Sequence, residues 1–159
     1  GDNREGFNDI YTIVKGGSVD FVFGGAGRTE TFGNRIITIT GGTINHAVFG
    51  GSNGYSGNNN NSNRGTLTGD SFIYVGGNAL VGSDDALAGN AIYGEEIGSV
   101  FGIGNGNNNY QMIGTAKNST VIIDGKAHIR RSVYGGGNYG RVAGGMTVSN
   151  VKYTVKEDF

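Results

Sequence analysis

The segment Ser132-Val133-Tyr134-Gly135-Gly136-Gly137-Asn138-Tyr139-Gly140 is the clearest copy of a phrase that recurs along this chain. It joins a β-branched residue, an aromatic and a glycine-rich bend. The same phrase occurs as Phe21-Val22-Phe23-Gly24-Gly25-Ala26-Gly27 and as Ala47-Val48-Phe49-Gly50-Gly51-Ser52-Asn53-Gly54. A looser copy is Ser99-Val100-Phe101-Gly102-Ile103-Gly104-Asn105-Gly106. Phe23 and Phe49 are 26 residues apart, and Phe49 and Phe101 are 52 apart, twice that distance. Tyr134 follows Phe101 after 33 residues, which implies an inserted loop. Self-similarity at such a period marks an architecture of stacked units.

Each phrase has a prelude. Ile10, Ile36 and Val121 lie 13 residues before Phe23, Phe49 and Tyr134, and each opens an apolar β-branched run. These runs, with Ser71-Phe72-Ile73-Tyr74-Val75 for the unit between, read as strands from composition and length. After each comes a corner: Gly16-Gly17, Gly41-Gly42, Gly76-Gly77 or Asp124-Gly125. One unit is therefore strand, corner, strand, corner and variable loop. A unit this small buries no core alone, but stacked units cover one another. The expected fold is all-β: a β-solenoid, read as a right-handed parallel β-helix with coils of about 26 residues and Asn/Gly-rich loops. Roughly six coils would fit, at about 4.8 Å each. Stacking in register would set Phe23, Phe49, Phe101 and Tyr134 into an aromatic ladder along one inner edge.

The chain reads as one domain over residues 1–159. Residues 1–9 are a polar leading segment that caps the stack or serves assembly, 10–155 carry the coils, and 156–159 form a charged tail. The sequence opens Gly1-Asp2, without an initiator Met, and reads as a processed product or part of something longer. There are 33 Gly and no Pro or Cys, with 12 basic and 13 acidic residues for a net charge of −1. Without a Gly-X-Y period the glycine is not collagenous. No basic field exists to hold nucleic acid. No disulfide or thiol chemistry is possible. No apolar run approaches the length needed to insert into a membrane.

Candidate chemistry is sparse. Asp84-Asp85 and Glu95-Glu96 are the acidic pairs inside the repeat region, and a glycosidase needs two carboxylates facing each other across a bond. Adjacent strand residues point to opposite faces, so only the two pairs together would meet that need. His128 and Arg130 share one face of a strand and would suit an anionic sugar or phosphate. The competing reading of all six is a set of solvated charges on loops and outer faces. Gly24-Gly25-Ala26-Gly27-Arg28-Thr29 has Thr where glycine-rich calcium-binding coils place Asp, so no metal and no cofactor is expected. Asn60-Asn61-Ser62 and Asn118-Ser119-Thr120 match the glycan acceptor pattern, making Asn60 and Asn118 possible glycosylation sites in a secreted chain.

The repeated aromatic-glycine phrase with its β-branched preludes resembles the glycine-rich β-helical repeat regions of bacterial cell-surface proteins and adhesins. The resemblance spans about Ile10 to Val155 and is one of style. It implies an extracellular or surface-displayed structural protein, a subunit of a fibre or an adhesin stalk, and carries no catalytic residues. Neither terminus shows an amphipathic capping helix, and strand-like sequence lies close to both, so copies of the chain are expected to stack head to tail. The alternative is an extracellular carbohydrate-binding or polysaccharide-cleaving protein, with a cleft formed by the Asp84 to Glu96 loops.

Overall fold

The computed structural model describes residues 9–26, 31–53, 67–88, 96–105 and 116–138, together with the backbone of 151–155. The chain is mostly β, and its strands pair in parallel. The strands are β1 (Asp9–Val14), β2 (Ser18–Phe23), β3 (Asn34–Ile39), β4 (Thr43–Phe49), β5 (Ser71–Val75), β6 (Leu80–Val81), β7 (Ser99–Phe101), β8 (Ser119–Ile123), β9 (His128–Ile129), β10 (Val133–Tyr134) and β11 (Val151–Val155). A single short helix, α1 (Asp84–Ala88), is described between β6 and β7. The Ser83 hydroxyl accepts from the Ala86 amide, 3.2 Å away, at its start.

Two sheets run side by side through successive layers. The first has the order β1-β3-β5-β8-β11. In the second, β4 takes β2 on one side. On its other side, β4 takes β6 along its first half and β7 along its second. Behind these lie β9 and β10. Each layer thus crosses from one sheet to the other once. The crossing is made at Gly17, Gly42, Gly77 and Gly125, all at positive φ between 59° and 83°. A left-handed backbone there costs glycine nothing and other residues a good deal.

The layers are uneven in length. Asp9, Asn34, Asp70 and Asn118 open successive layers, at separations of 25, 36 and 48 residues. The interval from Phe49 to Phe101, expected to hold two coils, is a single layer with a long insertion: Phe49 pairs directly with Phe101. Register also differs by one residue from the expected alignment. Ile10 pairs with Arg35, and Ile36 pairs with Tyr11. The cause is an irregularity in the second sheet. Val19 pairs with Ile44 but Phe21 with Ala47, so β4 holds one residue more than β2 at this point. The spacing is 25 before that bulge and 26 after it, and a slip of one residue exchanges the two faces of a strand.

Alternation then sorts the side chains. On the first sheet Ile37, Ile39, Ile73, Val75, Val121 and Ile123 turn inward and are buried. They meet Ile44, Val48, Val81 and Val100 of the second sheet in the main core. The aromatics take the other face. Val22, Val48 and Val100 belong to the main core, whereas Phe49, Phe101 and Ala47 form a second cluster with Phe21 and Phe23. The four repeated rings therefore do not line the inner edge; period-two alternation places them behind it. They stack face to face, Phe23 on Phe49 at 5.0 Å, Phe49 on Phe101 at 4.9 Å and Phe101 on Tyr134 at 4.9 Å, with interplanar angles of 10° or less.

Candidate functional site

The first layer stands apart from the others. In the column Val19, Ile44, Val81, all three residues face the core, yet Val19 is 41% exposed and the other two are fully buried. Ile10, in line with buried Arg35, is 44% exposed. Among the described residues nothing pairs with the outer edge of β1 or β2. In the fourth layer, Tyr134 is the last described ring of the aromatic ladder, with 42% of its surface exposed.

The outer face of the first sheet carries a polar row. Asn34 Nδ2 donates to Asp9 Oδ1 at 2.9 Å, the Asp70 amide donates to Asn34 Oδ1 at 2.9 Å, and Asn118 Nδ2 donates to Asp70 Oδ1 at 2.8 Å. Two residues along each strand sit Tyr11, Ile36, Phe72 and Thr120, in register with one another. The two rows border an open groove of about 370 Å³. Tyr11 is 65% exposed and Phe72 is half-buried. Below the groove floor, burial holds the Arg35 guanidinium below its ordinary pKa, and its Nη1 donates to the Asn34 carbonyl at 2.9 Å.

A second polar ladder follows the aromatic one. Asn53, Asn105 and Asn138 each come four residues after the ring of their layer. Asn105 Nδ2 donates to Asn53 Oδ1 at 3.2 Å, and Asn138 Nδ2 donates to Asn105 Oδ1 at 3.0 Å. Asn138 Nδ2 also donates to Glu96 Oε2 at 3.0 Å, and burial pushes the Glu96 carboxyl above its ordinary pKa.

The residues singled out from the sequence have separate partners. Asp84 pairs with Arg130 at 2.7 Å, an exposed bridge with Asp84 almost wholly in solvent. Asp85 lies beside Asp84 on α1, where no residue is buried. Glu96 is engaged with the asparagine ladder, His128 is exposed on β9, and Glu95 lies outside the described residues. Asp84 and Glu96 thus have different partners, and among the described residues no group of three His, Cys, Asp or Glu is placed to hold a metal. Asn118 has its amide nitrogen bonded to Asp70, and Asn60 lies outside the described residues. No helix of the described residues is long and apolar enough to cross a membrane.

The outer-face groove went unread in the sequence. Its signal is an Asp or Asn two residues before each outward apolar or Thr side chain: Asp9-Ile10-Tyr11, Asn34-Arg35-Ile36, Asp70-Ser71-Phe72 and Asn118-Ser119-Thr120. Comparison of the chain with protein-family models, with curated proteins and with solved structures found no match.

Proposed function

We propose that the chain is a β-solenoid, a right-handed parallel β-helix, and that it is a structural subunit of an extracellular fibre or surface stalk whose copies add end to end. Parallel pairing throughout, one crossing per layer and ladders that repeat at every layer support the solenoid reading. The observation that carries the assembly reading is the column Val19, Ile44, Val81. This core position is fully buried at Ile44 and Val81, each with a described layer on both sides, half-buried at Ile129, and 41% exposed at Val19, which no described residue covers on its outer side. The last strands of a second copy, added in parallel to β1 and β2, would cover these positions by strand addition. Burial of Ile10 and Val19 would contribute on the order of 1.5–3 kcal/mol for each side chain fully removed from water. Such a contact joins unlike ends and does not close, so it propagates as a filament.

Negative-stain electron microscopy and sedimentation velocity across a concentration series test this. Filaments, or a sedimentation coefficient that rises with concentration, are expected for the native chain. Val19→Lys places a charge at the open end and is expected to give monomers with unchanged circular dichroism. Monomers of the native chain at every concentration would refute end-to-end assembly.

A further inference from the structure

We infer that the groove on the outer face of the first sheet is a binding site for an extended, neutral glycan with a two-sugar repeat. The argument rests on how the lining alternates. The first layer contributes Asp9 and Tyr11, the second Asn34 and Ile36, the third Asp70 and Phe72, and the fourth Asn118 and Thr120. Within the four layers that line the groove, a carboxylate beside an aromatic ring thus occurs in the first and third, and an amide beside an aliphatic or hydroxyl side chain in the second and fourth. Layers are about 4.8 Å apart, so the chemical repeat is about 9.6 Å. A flat polysaccharide chain whose successive rings turn over presents the same face at a comparable interval.

Each element of the lining suits a sugar. The apolar C–H face of a pyranose packs on an aromatic ring, and Tyr11 and Phe72 offer such rings two layers apart. Sugar hydroxyls both donate and accept. The row uses Oδ1 of Asp9 and of Asp70, and one N–H each of Asn34 and Asn118. The second carboxylate oxygens and second amide hydrogens remain as acceptors and donors in alternation along the groove. The bonds within the row hold these groups in place before a ligand arrives, which lowers the ordering cost of binding. Asp9 and Asp70, with no basic side chain among the lining residues apart from buried Arg35, disfavour an anionic polymer. The groove shares β1 with the open end through Asp9 and Tyr11, but Phe72 lies in the third layer, away from that edge, so a Phe72 variant tests binding apart from assembly.

The test is titration of the whole chain with cellohexaose and mannohexaose, followed by two-dimensional NMR and calorimetry. Hexagalacturonate serves as the anionic comparator and maltohexaose as the curved one. Shift changes confined to the outer face of β1, β3, β5 and β8 are expected with an extended neutral hexaose. Phe72→Ala should weaken binding about tenfold, the scale of one lost aromatic contact. Tyr74→Phe, on the same face outside the groove, should leave it unchanged and so controls for folding. Absence of binding by both extended neutral hexaoses overturns the proposal. So does equal binding of hexagalacturonate or maltohexaose, or binding that a folded Phe72→Ala variant retains in full.

Discussion

Replacing Gly50 with alanine tests the closeness of the layers most directly. A Cβ at position 50 would lie 2.2 Å from the carbonyl oxygen of Gly102 in the next layer, and closer still to Ser71 Oγ. Ordinary contact begins near 3.4 Å, so the layers would have to part by about 1 Å, a fifth of their roughly 4.8 Å separation. The Gly102 oxygen cannot swing aside as a side-chain tip can. It belongs to the backbone that continues the ladder, in which the Gly50 amide donates to the Phe101 carbonyl at 2.9 Å. Overpacking of a close-packed interior costs about 1–3 kcal/mol, and a rigid obstacle places this site at the top of that range. Loss of unfolded-state freedom returns about 0.4–1 kcal/mol, leaving a net destabilisation of about 2 kcal/mol. Gly16→Ala is the matched control, because nothing lies within 4 Å of its Cβ and its φ is not positive. It should gain about 0.4–1 kcal/mol through the unfolded chain alone. Urea unfolding followed by circular dichroism reads both. The double variant Gly50→Ala/Ser71→Gly removes the hydroxyl but not the carbonyl, so it should recover only part of the loss. Equal stability of Gly50→Ala and Gly16→Ala would refute the reasoning, and full recovery in the double variant would refute the role of the backbone.

Other consequences are open to measurement. Ser119 Oγ is buried and has no hydrogen-bond partner among the described residues, so Ser119→Ala should raise stability by about 1 kcal/mol in thermal melts. Phe49→Ala, at a fully buried ring stacked on both sides, should cost about 4 kcal/mol or more, far above Tyr134→Ala at the exposed end of the ladder. Burial raises the Glu96 pKa above its ordinary value of 4.5, so the folded state holds that proton more tightly. Stability should therefore fall as pH rises through the interval between the ordinary and the raised value, and level off above it. Glu96→Gln, which still accepts from Asn138, should abolish that fall and leave melting in acid unchanged; a native-like pH profile in the variant would contradict this. Asp84→Asn should cost less than about 1 kcal/mol in chemical unfolding, since its bridge to Arg130 is largely solvated.

Much of the architecture was legible because it depends on residues with few alternatives. The β-branched preludes became β1, β3, β5 and β8, and the second glycine of each pair, or Gly125 after Asp124, became the left-handed corner. The phrase Phe-Gly-Gly marked rings that do stack on one another. Register was not legible, because the bulge between Val19 and Phe21 changes the spacing from 25 to 26 within one layer and leaves no mark in composition. The length of the third layer was hidden because 52 is twice 26, so an insertion mimicked a whole missing coil. The acidic residues chosen from the sequence, Asp84, Asp85 and Glu96, were conspicuous as pairs, and the fold gives Asp84 and Glu96 separate partners. The Asp/Asn row was inconspicuous for the opposite reason. Its members are single residues at intervals of 25, 36 and 48, and only the parallel register brings them into line.

The uneven layers also bear on how the chain reaches this structure. No described strand pairs with a neighbour fewer than 25 residues away, so none of the described strands forms a hairpin that could act as a local seed. The first contact must close a loop of a whole layer. Closing the 25-residue loop between β1 and β3 costs about 0.6 kcal/mol less than closing the 48-residue loop between β5 and β8. Among the described layers, nucleation is therefore cheapest at the pair formed by β1 and β3, which also leaves the ribosome before the later ones. Every later layer then condenses on an edge already in place, and growth runs in the direction of synthesis.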